Sequence, residues 1–127
     1  MSYVKQVGGS HYSETQYQHW DMVIDTDMHY LLGCATKYLY RNKSNRYEDL
    51  EKAKSFVLKA NNCGVKGVHQ HDIYALYDWL DESLPSADIY AAIEFVAFGD
   101  YACALAAIDE LIEQEAMDEM KAYVDQG

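Results

Sequence analysis

Lys37 and Arg41 are residues whose type and spacing suggest chemistry. Four positions apart on a helix, they share a face. A lysine there is a point charge and an arginine a bidentate fork, a pair able to clamp a phosphate. Lys43 and Arg46 follow closely, and Glu48, Asp49, Lys52 and Lys59 add mixed charge. Glu48 and Lys52 stand at the favourable four-residue spacing. The same residues also read as the ordinary charged faces of a helical hairpin, with cations placed well for the helix dipole. Upstream, Gly8-Gly9-Ser10-His11-Tyr12 permits close backbone approach and positive φ, which fits either a tight turn or an anion site.

Other chemistries lack their residues. No G-x-x-x-x-G-K-[ST] phosphate loop is present, which excludes a standard P-loop kinase or ATPase. No G-x-S-x-G elbow and no zinc signature occurs. His69 and His71 flank Gln70 with no third ligand nearby and read as a solvated loop. Same-face acids such as Asp78 and Asp81, or Glu110 and Glu113, arise freely in so acidic a region. The E-x-x-E then E-x-x-D arrangement of all-α nucleotide pyrophosphatases is missing. No metal-binding residue is assigned.

The elements that must position these groups follow from composition and period. At 127 residues, half of them apolar, the chain fits a single domain over residues 1–127. One proline and seven glycines suit helices joined by short turns. Residues 1–16 read as an extended arm. Apolar spacing predicts helices over Gln18–Asp25, Met28–Asn42 and Arg46–Asn61, with Thr26 or Asp27 capping the second and Asn45 the third. The last two form an αα-hairpin. Three more are expected from His71 or Asp72 to Glu82, over Ala87–Phe98, and from Tyr101 to at least Met117. Ser86 and Asp100 are candidate caps of the last two, Gly64 ends the third helix, and Gly99 ends the one over Ala87–Phe98. Residues Gly64 to Val68 are the candidate hinge. The expected fold is all-α: an N-terminal extended arm and helical hairpin over residues 1–62, then a three-helix acidic extension over 63–127.

Charge divides the same way. Residues 1–62 carry eight Lys/Arg against seven Asp/Glu, whereas 63–127 carry two against fourteen, within a net charge of −11. Long-range attraction to DNA or to an anionic membrane is therefore disfavoured, leaving room for a local basic site in the first half. Twelve tyrosines against three phenylalanines point to rings at core edges, interfaces or a ligand site, and a homo-oligomer is expected. Cys34, Cys63 and Cys103, odd in number and far apart, are expected to be small buried apolar residues in a reducing compartment. With a polar N-terminus and no apolar run near the roughly 18–20 residues of a bilayer span, the expected location is the cytoplasm.

Four segments taken in order resemble one family. Gly8-Gly9-Ser10-His11-Tyr12, then Gln18-His19-Trp20-Asp21, then Leu32 to Arg41 (LGCATKYLYR), then Glu48 to Ala53 (EDLEKA) are similar to the SaV-like phage proteins. That family's pattern is a G-x-x-H-Y opening, a Q-P-x-D-like segment, a G-N-A-x-K-Y-x-x-R helix and an E-D-L-x-K-A helix. The resemblance covers residues 8–60 and falls by position on His11, Tyr12, Gly33, Lys37, Tyr38, Arg41, Asp49 and Lys52. Cys34 stands where the family usually has Asn, and His19-Trp20 where it has a Pro-containing pair.

The resemblance implies a phage-encoded nucleotide-binding protein, active in host cytoplasm during infection. Some relatives are described as deoxynucleoside monophosphate kinases without a P-loop. In that chemistry Lys37 and Arg41 would neutralise phosphate oxygens, with Asp49 or Glu48 holding Mg2+ or orienting the acceptor, and ATP as donor. His11 would close over the site, and Tyr12, Tyr38 or Trp20 would stack on a base beside Lys52. The competing expectation is non-enzymatic and needs no cofactor. An acidic second half could present itself to a basic host protein and inhibit a nucleic-acid-processing or defence function.

Overall fold

The computed structural model describes residues 17–41 and 45–126. The chain is all-α, with six α-helices and no strand among the described residues. The arm expected over residues 1–16, with His11 and Tyr12, lies outside them. Helix α1 spans His19–Asp25, α2 Tyr30–Tyr40, α3 Arg46–Asn62, α4 Ile73–Ser83, α5 Ala87–Phe98 and α6 Tyr101–Gln126. A 3-10 turn, Gln70–Asp72, leads into α4.

Local chemistry sets these bounds. The Gln18 N–H donates to the Asp21 carboxylate at 3.0 Å to open α1, and the Thr26 hydroxyl closes it on the Met22 carbonyl at 2.7 Å. Neither Thr26 nor Asp27 caps α2. Asp27 takes a left-handed φ of 52° and its N–H returns to the Ile24 carbonyl at 3.1 Å, so both residues belong to the end of α1. His29 caps α2 instead, its Nδ1 accepting from the Leu31 N–H at 3.0 Å. Asn45 caps α3 as expected, accepting from the Glu48 N–H at 3.1 Å while its amide donates to the Glu48 carboxylate at 2.8 Å. Gly64 and Gly99 end α3 and α5 at φ of 65° and 75°, values that favour glycine. Asp100 accepts from the Cys103 N–H at 3.3 Å at the start of α6, whereas the Ser86 side chain makes no cap bond.

Helices α2 and α3 pack as a hairpin, α6 lies along α3 and α5, and α5 also packs on α2. Leu39 and Val57 from the hairpin and Ile93 and Ile108 from the acidic half are all fully buried in one cluster. Each such side chain contributes roughly 1.5–3 kcal/mol by leaving water. The acidic half therefore completes the hairpin's core. Helix α4 lies against α1, where Trp79 is buried.

The segment offered as a hinge is pinned. The Val68 N–H donates to the Ala97 carbonyl at 2.7 Å, and the Tyr101 hydroxyl donates to the Val65 carbonyl at 2.5 Å. Gly67 lies so close to the α5–α6 turn that a Cβ there would sit 2.3 Å from the Phe98 carbonyl carbon. The cysteines also depart from expectation. All three are free thiols, but Cys63 and Cys103 are exposed and only Cys34 is partly covered. Cys63 follows the last turn of α3, and Cys103 sits on the solvent side of α6. No helix among the described residues is long and apolar enough to cross a membrane.

Candidate functional site

Tyr30, Cys34, Lys37 and Arg41 recur every three or four residues and make one stripe along α2 into its C-terminal cap. Helix α1 lies beside the first half of that stripe. His19, Trp20 and Val23 from α1 and Tyr30, Gly33, Cys34 and Lys37 from α2 line a groove of about 190 Å³. Trp20 is 52% and Tyr30 73% exposed, so two aromatic faces are open to solvent there. Whole small-molecule pockets run to roughly 300–1,000 Å³, so this groove suits one flat ring system. Lys37 stands at its rim.

His19 ties the groove to the core. Its Nε2 lies 2.8 Å from the Thr36 hydroxyl, and its ring meets the Trp79 indole edge-on at 5.2 Å. The Thr36 hydroxyl itself donates to the Gly33 carbonyl at 3.1 Å, which makes the imidazole the donor through Nε2–H. Burial, aided by the Lys37 charge, pushes the His19 pKa down to about 4. The groove wall is thus neutral at physiological pH, and Lys37 is its charge.

Beyond the groove the stripe meets α3. The Lys37 and Lys52 ammonium groups lie 5.6 Å and 5.4 Å from the centre of the Tyr38 ring, within cation–π range. Phe56 stacks on the same ring at 5.9 Å with the planes 7° apart. Tyr38 is therefore engaged by protein groups, and it gathers two lysines from different helices. Arg41 Nε lies 3.8 Å from the buried Asp49 carboxylate, and Lys52 pairs with Glu48 at 3.1 Å. The Glu48 hydrogen bond and charge raise the Lys52 pKa. Lys37 and Lys52 thus flank the Tyr38 ring, while Arg41 and Lys52 are paired with Asp49 and Glu48.

Arg46, a cation that follows Lys37 and Arg41 closely in sequence, turns back on the preceding helix. Its guanidinium donates to the Tyr38 carbonyl at 3.0 Å, the Leu39 carbonyl at 2.6 Å and the Arg41 carbonyl. These carbonyls belong to the last turn of α2 and have no partner within the helix. Arg46 closes α2 from the first turn of α3 and fixes the hairpin on which Arg41 sits.

Seven of the nine charged or aromatic residues considered for the site fall within the described residues: Trp20, Lys37, Tyr38, Arg41, Glu48, Asp49 and Lys52. Lys37 and Lys52 meet over the Tyr38 ring, Lys52 pairs with Glu48 and Arg41 with Asp49, and Trp20 shares its groove with Lys37. His11 and Tyr12 lie outside the described residues. Tyr30 enters the site without having been singled out, and His19, noted only as part of a departure from the family pattern, enters as its wall. Tyr30 carried a legible signal, since it precedes Lys37 by seven residues, two helical turns on the same face. His69 and His71 stack at 4.7 Å with His69 Nδ1 accepting from the His71 N–H, a local turn contact. No group of three or more metal-ligating side chains assembles among the described residues.

No family model matches the chain, and no curated protein or solved structure matches it significantly.

Proposed function

We propose that the chain is a nucleotide-binding protein that seats a base between Trp20 and Tyr30 and the phosphates on Lys37, Arg41 and Lys52. One observation carries this reading: an open aromatic groove ends at a lysine, and two further cations lie beyond it on the same face. A nucleotide has that same order of chemistry, a flat apolar ring followed by anionic oxygens. Stacking on an indole contributes about 1–3 kcal/mol per base and tolerates every base. Lysine and arginine then supply point-charge and bidentate contacts to phosphate.

Phosphoryl transfer to a deoxynucleoside monophosphate is the reaction that the SaV-like resemblance suggests, with ATP as donor. Lys37 and Arg41 would bear the charge that develops on the transferred group. Asp49 holds Arg41 in place from below. Glu48, exposed at the first turn of α3, is the carboxylate that fits a phosphate-bound Mg2+, which would neutralise oxygen charge when present. On this reading the compartment is host cytoplasm during infection.

Transfer of labelled γ-phosphate from ATP to a panel of deoxynucleoside monophosphates tests the proposal. The wild type is expected to label one or more of them, with Lys37→Ala and Arg41→Ala slower by about 100-fold, the size expected for a lost charge-stabilising contact. No labelled product across the panel, or equal rates in both variants, overturns the phosphotransfer reading.

A further inference from the structure

Two histidines outside the groove cap helical turns through the same ring atom. His29 Nδ1 accepts from the Leu31 N–H at 3.0 Å where α2 begins. His69 Nδ1 accepts from the His71 N–H at 3.2 Å where the 3-10 turn into α4 begins. A ring nitrogen accepts only through a free lone pair, so both imidazoles are neutral, with their proton on Nε2. Both also line one cavity of about 450 Å³. Asp27 from the turn after α1, Lys66 from the pinned segment and Asp72 from the 3-10 turn share that lining, and the His71 ring stacks on His69 at 4.7 Å. Of these side chains, imidazole is the type that ordinarily changes charge between about pH 8 and 5.

We propose that His29 and His69 are an acid-sensitive latch on the first turn of α2 and on the 3-10 turn before α4. Protonation puts a hydrogen on Nδ1, which then faces an amide N–H that it can no longer accept. At His29 it also sets a cation at the positive end of α2. The cap opens, and the first turn of the helix frays. That turn carries Tyr30, the residue after His29 and one of the two open aromatic faces of the groove. Asp27 and Asp72 leave the released imidazolium rings with carboxylates in the same cavity, against the Lys66 ammonium. His19 is separate, since it is held against Thr36 and Trp79 and caps nothing. The latch rests on the two cap bonds and stands whether or not the groove takes a nucleotide.

NMR of the full chain from about pH 7.5 to about pH 5 reads both ends of each bond. At the upper limit the ring nitrogens of His29 and His69 are expected to show the Nε2–H form. On acidification the Leu31 and His71 amides are expected to lose protection against solvent exchange as their own capping rings protonate. The loss, corrected for the intrinsic pH dependence of exchange, is about fivefold, the size of one missing side-chain cap. Tyr30 resonances move with the Leu31 amide. Asparagine caps a helix without titrating, so His29→Asn keeps the Leu31 amide protected across the range, and His69→Asn the His71 amide. Protection that persists while the rings protonate, or that falls equally in the Asn variants, overturns the proposal. So does an Nδ1–H form of either ring at the upper limit, or a loss at only one of the two amides.

Discussion

His19 holds its ring between the Thr36 hydroxyl and the Trp79 indole, with a pKa pushed down to about 4 by burial and then by Lys37. Above about pH 6.5 it is neutral in the folded and unfolded chains alike. As pH falls, the unfolded chain takes up this proton first. Stability therefore declines from about pH 6.5 to about pH 4, by up to about 3 kcal/mol, and this contribution levels off below that. Urea midpoints across that window check it: His19→Gln, which keeps an N–H for Thr36, is expected to lose less stability than the wild type. An equal decline in both would assign the loss to groups other than His19. Arg46 invites a second test. Arg46→Ala leaves three α2 carbonyls without their guanidinium and is expected to cost about 1.5–3 kcal/mol, read as a lower urea midpoint. The sequence shows Arg46 as one more cation beside Lys37 and Arg41. Only the fold tells a cation that faces solvent from one that turns back on the preceding helix.

The helices were legible from apolar period and capping residues where both agree. Helix α5 matches the expected Ala87–Phe98, and α3 starts where Asn45 places it. The start of α2 was not legible, because Thr26 and Asp27 are good caps whose groups are already engaged in closing α1. Residues 64–68 misled in a different way. Two glycines within four residues look like a hinge, yet Gly67 is there because the α5–α6 turn leaves no room for a side chain. Gly67→Ala is accordingly expected to lower stability by about 1–3 kcal/mol through overpacking, measurable in thermal melts. A melting temperature equal to the wild type would show that the two segments separate at little cost. This contact matters for the site as well, since α5 packs on the back of α2 and so supports the stripe that carries Lys37.

For the molecule as a whole, charge and core follow different divisions. The charge boundary near residue 62 is plain in the sequence, but the core ignores it, and helices from both sides bury one cluster. That is why the basic face could be found from Lys37, Arg41 and Lys52 alone, while the aromatic groove could not. The groove exists only where α1 lies beside α2, a tertiary fact that brings Trp20 and Tyr30 together and that neither residue's place in the sequence shows. Trp20 is also a built-in reporter, since Trp79 is buried and only Trp20 is half exposed. Titration of the chain with deoxynucleoside monophosphates, followed by tryptophan emission, tests the nucleotide site most directly. The expected result is saturable quenching that Trp20→Phe abolishes and that Lys37→Ala shifts to about tenfold higher concentration. Absence of saturable quenching, or a titration that Lys37→Ala leaves unchanged, would contradict a base on Trp20 with its phosphate on Lys37.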